Sequence, residues 1–416
     1  MNVLLRGARQ LVTLRGPAPR RGRQLRELGI IEDGAVLIQD GHIHSVGPTR
    51  RMENIKEARG AVVFDATGQI VLPGFVDSHT HFLFPSPRLN DFERRIAGPS
   101  ADALPPSGGG IHSTVLALRQ TSPKGLEMRA ERWLRHFAAG GTTTVEGKSG
   151  YGLNQAAEIK SLRVMQKLDG RPLEVVRTFL GAHVPPPEPG LRPERYLRQV
   201  IDEMLPQVAK LRLAEFCDVW CDDGAFTLDQ TRQVLEAARR LGFGLKLHAE
   251  QHTRTGAARL GVQLGAVSVD HLEQAAADDI LALGSSHTIA TLLPGCAFYT
   301  GGPYPPARRL IEAGAPVALA TDFNPGTSPT LSMPMVLALA CTQMKMTPAE
   351  ALSAATINGA AALRRSDRIG SLEPGKFADL VVFDAGDYRE LAYYFGMSLS
   401  VRVMKRGRWI WPEKAP

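Results

Sequence analysis

The chain has 416 residues, 44% of them apolar, and a formal charge of +7. That is enough to bury a large core, either as two or three domains or as one large barrel with a small attached unit. No run of about 18 apolar residues occurs and the N-terminus lacks the uninterrupted apolar stretch of a secretory signal, which leads us to expect a soluble, cytoplasmic protein with no membrane partner.

The first seventy residues alternate apolar and polar in short runs. Asp40-Gly41 stands between Ala35-Val36-Leu37-Ile38 and Ile43-His44-Ser45-Val46, a strong hairpin signal. The positive excess gathers early, at Arg15, Arg20, Arg21, Arg23 and Arg26, without interleaved aromatics, so a solvated loop is expected rather than a nucleic-acid surface. An arginine-rich, acid-poor start also resembles a transit peptide, but residues 10–14 read as a strand that continues into more strand, against removal.

From residue 71 the pattern changes to short apolar strands separated by helical stretches, the signature of parallel β/α units. Eight strands are expected, at 71–81, 142–148, 174–183, 216–223, 244–250, 266–272, 288–294 and 316–323, with helices such as 155–168, 228–241 and 348–363 between them. Eight such units close into a TIM barrel. The last fifty residues return to β character, with strands at Leu380-Val381-Val382-Phe383 and Val401-Arg402-Val403-Met404 and a turn at Arg406-Gly407. Neither end can bury a sheet face alone. The expected fold is therefore α/β: a (β/α)8 barrel over 71–365 and a small discontinuous β-sandwich from 1–70 and 366–416. Cys217, Cys221, Cys296 and Cys341 lie in apolar segments without C-x-x-C pairing and are read as reduced core residues.

Most barrel strands end in an ionisable residue: His79 and His81, Glu146 and Lys148, His183, His248 and Glu250, Asp270 and His271, Asp322. In a barrel these ends surround one mouth, where the active sites of the fold lie. Residues two apart on a strand share a face, so His79 and His81 can hold one cation together, with His248, His271 and Asp322 as further candidates. Imidazoles with one carboxylate suit zinc or iron, whereas a hard cation asks for more oxygen. A cation so held lowers the pKa of bound water from about 16 towards about 7. Lys148, in a Lys-Ser-Gly-Tyr-Gly turn, is given a loop-ordering or electrostatic role in preference to that of a carboxylated bridge between two metals.

At this point the sequence resembles the amidohydrolase superfamily. Pro73-Gly74-Phe75-Val76-Asp77-Ser78-His79-Thr80-His81 opens the barrel in the manner of that family, and the segment from Gly370-Ser371-Leu372-Glu373-Pro374-Gly375-Lys376 to Leu380 closes the chain. The interior is similar to one branch of it, through Gly108-Gly109-Gly110-Ile111, Lys148-Ser149-Gly150-Tyr151-Gly152-Leu153, Phe179-Leu180-Gly181-Ala182-His183, Lys246-Leu247-His248-Ala249-Glu250-Gln251, Ser268-Val269-Asp270-His271-Leu272-Glu273 and Ala320-Thr321-Asp322-Phe323-Asn324-Pro325-Gly326-Thr327. That branch hydrolyses 4-imidazolone-5-propanoate to N-formimidoyl-L-glutamate.

The resemblance implies one divalent ion, Zn²⁺ or iron as Fe²⁺ or Fe³⁺, on His79, His81, His248 and Asp322. It implies contact of Arg88, Tyr151, His183, Gln251, Asn324, Gly326 and Thr327 with a small anionic cyclic amide, and a homodimer. An arginine with a tyrosine beside it is the expected anchor for a propionate. The expected chemistry is attack of metal-held hydroxide on the ring carbonyl, with His271 supporting the oxyanion and Glu250 or Asp322 moving the proton. Other readings stay open: a deaminase or a formimidoyl hydrolase of the same superfamily, His271 as a ligand-orienting group, Arg88 paired with Asp91 or Glu93, and a structural His183. His112, His136, His252 and His287 fall away from strand ends and are left out. Two departures from the family pattern, Pro85 and Pro87 before Arg88 and the stretch 99–107, bear on substrate preference more than on the metal.

Overall fold

A computed structural model describes residues 2–98, 109–188 and 192–412. Sixteen strands are present among them. In chain order they begin with β1 (Asn2–Val12), β2 (Ile30–Gln39), β3 (His42–Pro48), β4 (Val62–Asp65) and β5 (Ile70–Pro73). The barrel strands follow: β6 (Phe75–Asp77), β7 (Thr142–Lys148), β8 (Glu174–Ala182), β9 (Phe216–Cys221), β10 (Gly244–Ala249), β11 (Ser268–His271), β12 (Ile289–Leu292) and β13 (Val317–Leu319). The chain ends on β14 (Leu380–Phe383), β15 (Ser400–Lys405) and β16 (Arg408–Trp411).

The two chain ends build one mixed sheet in the order β16-β15-β14-β5-β1-β2-β3, with β4 also pairing to β1. Bulges in the β1–β2 and β2–β3 pairs bend it, and it closes over a core that includes Val3, Leu5, Leu11, Val36, Ile38, Val71, Leu380, Val382 and Met404. The hairpin turns behave as their sequences require: Asp40 and Gly41 have φ of 48° and 84°, Arg406 and Gly407 have 46° and 76°. The two turns also pack tip to tip. A Cβ on Gly41 would lie 2.8 Å from the Arg406 carbonyl oxygen, and one on Gly407 would lie 2.8 Å from Gly41 Cα.

The strand expected over 71–81 divides at Gly74. Ile70–Pro73 pairs with β14 and β1 in the end sheet, while Phe75–Asp77 pairs with β7 in the barrel. A side chain at Gly74 has no room, since a Cβ there would fall 2.2 Å from Thr143 Cγ2. Strands β6 to β13 are parallel neighbours in sequence order. The barrel is stitched shut beyond the regular strands, by Asp322 N donating to His79 O at 3.0 Å and His81 N to Phe323 O at 2.9 Å. Closure therefore runs through the residues expected to bind metal.

Helices Gln155–Leu168 and Leu228–Arg240 start on side-chain caps from Asn154 and Thr227. The helix expected over 348–363 is broken at Thr356 (φ −126°, ψ −88°) into Pro348–Ala355 and Ile357–Ala362. Gly359 in the second piece seats it against Val76, whose carbonyl oxygen would be 2.5 Å from a Cβ.

One early arginine is not in solvent. Arg20 is buried, its guanidinium donating to the carbonyls of Leu14 at 2.7 Å, Arg15 at 2.9 Å and Glu27. Its backbone N–H meets Asn358 Oδ1 at 2.7 Å. Arg15, Arg23 and Arg26 remain exposed. The four cysteines are free thiols. No helix among the described residues is long and apolar enough to cross a membrane.

Candidate metal-dependent active site

Four buried groups meet at the barrel mouth. His79 Nε2 and His81 Nε2 lie 3.6 and 3.7 Å from Asp322 Oδ1, and His81 Nε2 lies 3.3 Å from His248 Nε2. Two of these rings are fixed from behind: His79 Nδ1 is 2.7 Å from Asp270 Oδ2, and His248 Nδ1 is 3.1 Å from Asp218 Oδ1. A ring that donates its Nδ1 proton to a carboxylate presents a lone pair at Nε2. Lone pairs and a carboxylate oxygen thus converge, and His79 Nε2 has no hydrogen-bond partner among the described residues. Such a cluster repels itself unless a cation occupies its centre, so the donor set fits a metal. Burial, and then the charges of Lys148 and the neighbouring imidazoles, holds the pKa values of His79 and His248 well below the ordinary value; burial and His183 do the same for His81. All three are neutral, as ligands must be. Burial raises Asp322 to about 7 while His271 draws it back.

His271 stands beside the cluster, its ring 5.3 Å from that of His248 and 5.5 Å from that of His79. Its backbone φ is +84° and that of Leu272 is +71°, the left-handed region in which non-glycine residues are rare. Burial opposes its charge, but Glu273, 3.3 Å from Nδ1, together with Cys296 and Asp322, pushes its pKa well above the ordinary value.

Beneath the imidazoles, Lys148 points into the barrel rather than into its loop. Its amine is 2.6 Å from Asp218, 3.0 Å from Glu146 and 3.4 Å from Asp270. Of the two roles expected for Lys148, the electrostatic one fits this position and the loop-ordering one does not.

Above the cluster lies a cavity of about 230 Å³. His81, His248, His271 and Asp322 form its floor, and Arg88, Tyr151, His183, Gln251, Asn324 and Thr327 form much of its wall. Arg88 donates from Nε to Thr114 Oγ1 at 2.8 Å, and a second side-chain hydrogen bond ties it to the Tyr151 hydroxyl. Its guanidinium sits 5.7 Å from the centre of the Tyr151 ring. Gly326 makes room for it, because a Cβ at 326 would lie 2.5 Å from Arg88 Nη1. Asn324 orders the same loop, accepting from the backbone of Gly326 at 2.7 Å and Thr327 at 2.8 Å. His183 stacks on His81 with ring centres 5.2 Å apart and is tied at Nδ1 to Gly150 O at 3.0 Å. Burial lowers its pKa to about 4, against the pull of that carbonyl, so it is neutral. Gln251 reaches Cys296 Sγ at 3.8 Å.

Glu250 stands differently from the expectation. Its Oε2 accepts from Thr255 N at 2.8 Å and its Oε1 from Ala258 N at 3.0 Å, at the start of helix Ala257–Gln263, and it does not line the cavity. A carboxylate engaged at both oxygens by backbone N–H groups holds a helix start. Conversely, the wall includes Ile111, Trp220 and His252, which sequence reasoning missed or set aside. Trp220 could have been found from the alternation of β9, since it shares a face with Asp218. Nothing in the sequence marks His252 or the Thr114 partner of Arg88. The stretch 99–107 falls outside the described residues.

The sequence profile of the Amidohydrolase family matches residues 70–410. An imidazolonepropionase of Geobacillus kaustophilus (strain HTA426) is 46% identical over 414 residues, 98% of this chain and 97% of that protein. One from Solibacter usitatus (strain Ellin6076) is 47% identical over 415 residues, 99% of each. Among solved structures, an adenosine deaminase from Xanthomonas campestris with bound zinc is similar at a TM-score of 0.69 and 20% identity, covering 98% of this chain and 92% of that one, a likeness of fold alone.

Proposed function

The chain belongs to the amidohydrolase family, and from that membership and its likeness to imidazolonepropionases we propose that it opens the ring of 4-imidazolone-5-propanoate by hydrolysis, yielding N-formimidoyl-L-glutamate in histidine degradation. The observation that carries the reading is the pocket itself, which sets a histidine and carboxylate floor opposite a guanidinium paired with a tyrosine hydroxyl. The floor suits the amide and the wall suits the propionate.

We assign His79, His81, His248 and Asp322 to a single zinc or iron ion. The single ion is supported by Lys148, whose amine is engaged by three carboxylates and is not free to become a bridging carbamate. When bound, such a cation polarises a carbonyl and makes water acidic.

The chain's own groups do the rest. Arg88 binds the propionate through its terminal nitrogens, with the Tyr151 hydroxyl, kept neutral by burial, beside it. His183 presents Nε2 to the ring. Gln251, Asn324, Gly326 and Thr327 shape the wall that orients it. His271, held protonated by Glu273, donates to the carbonyl oxygen as negative charge develops there. Asp322 takes one proton from water as the water oxygen joins the carbonyl carbon, then returns it to the ring nitrogen as the carbon–nitrogen bond breaks. The second water proton leaves when the new carboxylic acid ionises. Glu250, engaged by its backbone donors, is left out of this transfer.

Purified protein should consume freshly generated 4-imidazolone-5-propanoate, followed by its ultraviolet absorbance, with formation of N-formimidoyl-L-glutamate. Chelation should abolish turnover and added zinc or iron restore it. No loss above the spontaneous rate from protein that holds metal would turn the reading to a deaminase or a formimidoyl hydrolase. We further infer a cytoplasmic homodimer, and light scattering at the mass of one chain would remove the dimer.

A further inference from the structure

Behind the metal cluster the barrel interior holds three carboxylates and two amines with no exposed side-chain surface: Glu146, Asp218, Asp270, Lys148 and Lys246. They are not equivalent. Asp218 meets His248 Nδ1 through Oδ1 and Lys148 Nζ through Oδ2, at 3.1 and 2.6 Å. Asp270 meets both His79 Nδ1, at 2.7 Å, and Lys148 Nζ, at 3.4 Å, through Oδ2. One amine therefore touches both carboxylates that fix imidazoles of the cluster. Lys246 shares Glu146 with Lys148, bonding it at 3.1 Å, but otherwise donates to Ser78 O at 3.0 Å and stands 4.0 Å from Asp270, outside hydrogen-bond reach of either carboxylate that fixes an imidazole.

We propose that Lys148 is the shared positioning residue of the metal centre, setting the orientation of His79 and His248 together through Asp270 and Asp218. The inference rests on the metal reading above. Two carboxylates in one buried layer repel each other, and their separation and rotamers follow from the cation between them. Each carboxylate in turn fixes a ring's tautomer and aim. Loss of the amine frees two of the three imidazoles in one step, whereas loss of either carboxylate frees one.

The test compares metal affinity, by competition with a chromophoric chelator, and the visible spectrum of cobalt-substituted protein. Lys148→Met should weaken binding about 10–100-fold, the scale of groups that orient metal ligands, and change the cobalt spectrum. Wild-type affinity and spectrum in that variant would overturn the proposal. Removing one buried charge can also unfold the chain, so K148M/D218N, which deletes one charge of each sign, is compared with D218N alone. The pair should bind metal more weakly than D218N, through the remaining Asp270 arm; equal affinity would overturn the proposal. K246M/E146Q deletes the same charges and one partner of Lys148 but keeps the Lys148 bonds to Asp218 and Asp270, and should lose much less affinity than K148M/D218N. If it weakened binding as much as K148M/D218N, the network would be merely structural. Wild-type protein that took up no zinc, iron or cobalt would instead sink the metal reading itself.

Discussion

Arg88 holds Thr114 and Tyr151 in the cavity wall, away from the histidine cluster, so in the proposed reaction its loss removes binding without disturbing the metal. Arg88→Met should lower kcat/KM by about 100-fold, the equivalent of roughly 3 kcal/mol for charge-assisted bonds, with metal content unchanged by elemental analysis. Glu250→Gln makes the opposite expectation. An amide NH₂ must face backbone donors that now meet a carboxylate oxygen, so the variant should lose about 1–3 kcal/mol in urea unfolding while the folded fraction turns over near the wild-type rate. A fall in kcat of roughly a hundredfold or more would return Glu250 to proton transfer. Residues such as His79, His81, His248 and Asp322 are legible in the sequence because polar side chains at the ends of apolar strands have one place to go. Glu250 has the same position on paper. What distinguishes it is the backbone it bonds five and eight residues on, which strand periodicity does not record.

At the level of elements, the eight barrel strands could be counted from apolar runs alone, and 142–148 and 155–168 coincide with the observed strand and helix. The errors fall where one run serves two neighbours. An apolar stretch through 71–81 carries no mark of which sheet each half joins, and Gly74 permits the change because the chain passes against Thr143. Gly74→Ala should therefore destabilise by about 1–3 kcal/mol, the usual cost of overpacking, read as a lower urea midpoint. An unchanged midpoint would show that Thr143 can turn aside. The break at Thr356 was likewise hidden, because both halves of 348–363 keep helical composition.

Across the molecule, the end sheet and the barrel are joined by charge. Glu174, at the start of β8, meets Arg365 at 3.0 Å and Lys405 of β15 at 3.2 Å. Burial raises its pKa, but Lys405 and Arg365 outweigh burial and bring it from 4.5 to about 2. A carboxylate depressed in the folded state contributes stability above its unfolded pKa and loses it as pH falls through the folded value. The contribution, about 3 kcal/mol at 1.36 kcal/mol per unit, should be full above about pH 5 and decline towards pH 2. Glu174→Gln should be less stable at neutral pH and show a shallower fall in urea midpoint over that window; parallel pH curves for variant and wild type would dismiss the junction. The sequence allowed the pairing of the two ends to be inferred, since neither could bury a face alone. It gave no sign that Arg20 would leave the exposed arginine loop to cap carbonyls inside, because a charge run looks the same whether or not one member finds a buried set of acceptors.

The passage of β5 through Gly74 into β6 also has a bearing on how the protein is made. Strand β5 leaves the ribosome before the barrel strands, yet its partner β14 follows all of them. The barrel can close on the Phe323 to His81 bond while the strand leading to His79 and His81 still lacks its outer neighbour. The strand leading to His79 and His81 is thus flanked on both sides only once β14 has been made, and a chain cut short of residue 380 keeps β1 beside β5 but loses the neighbour on its other edge.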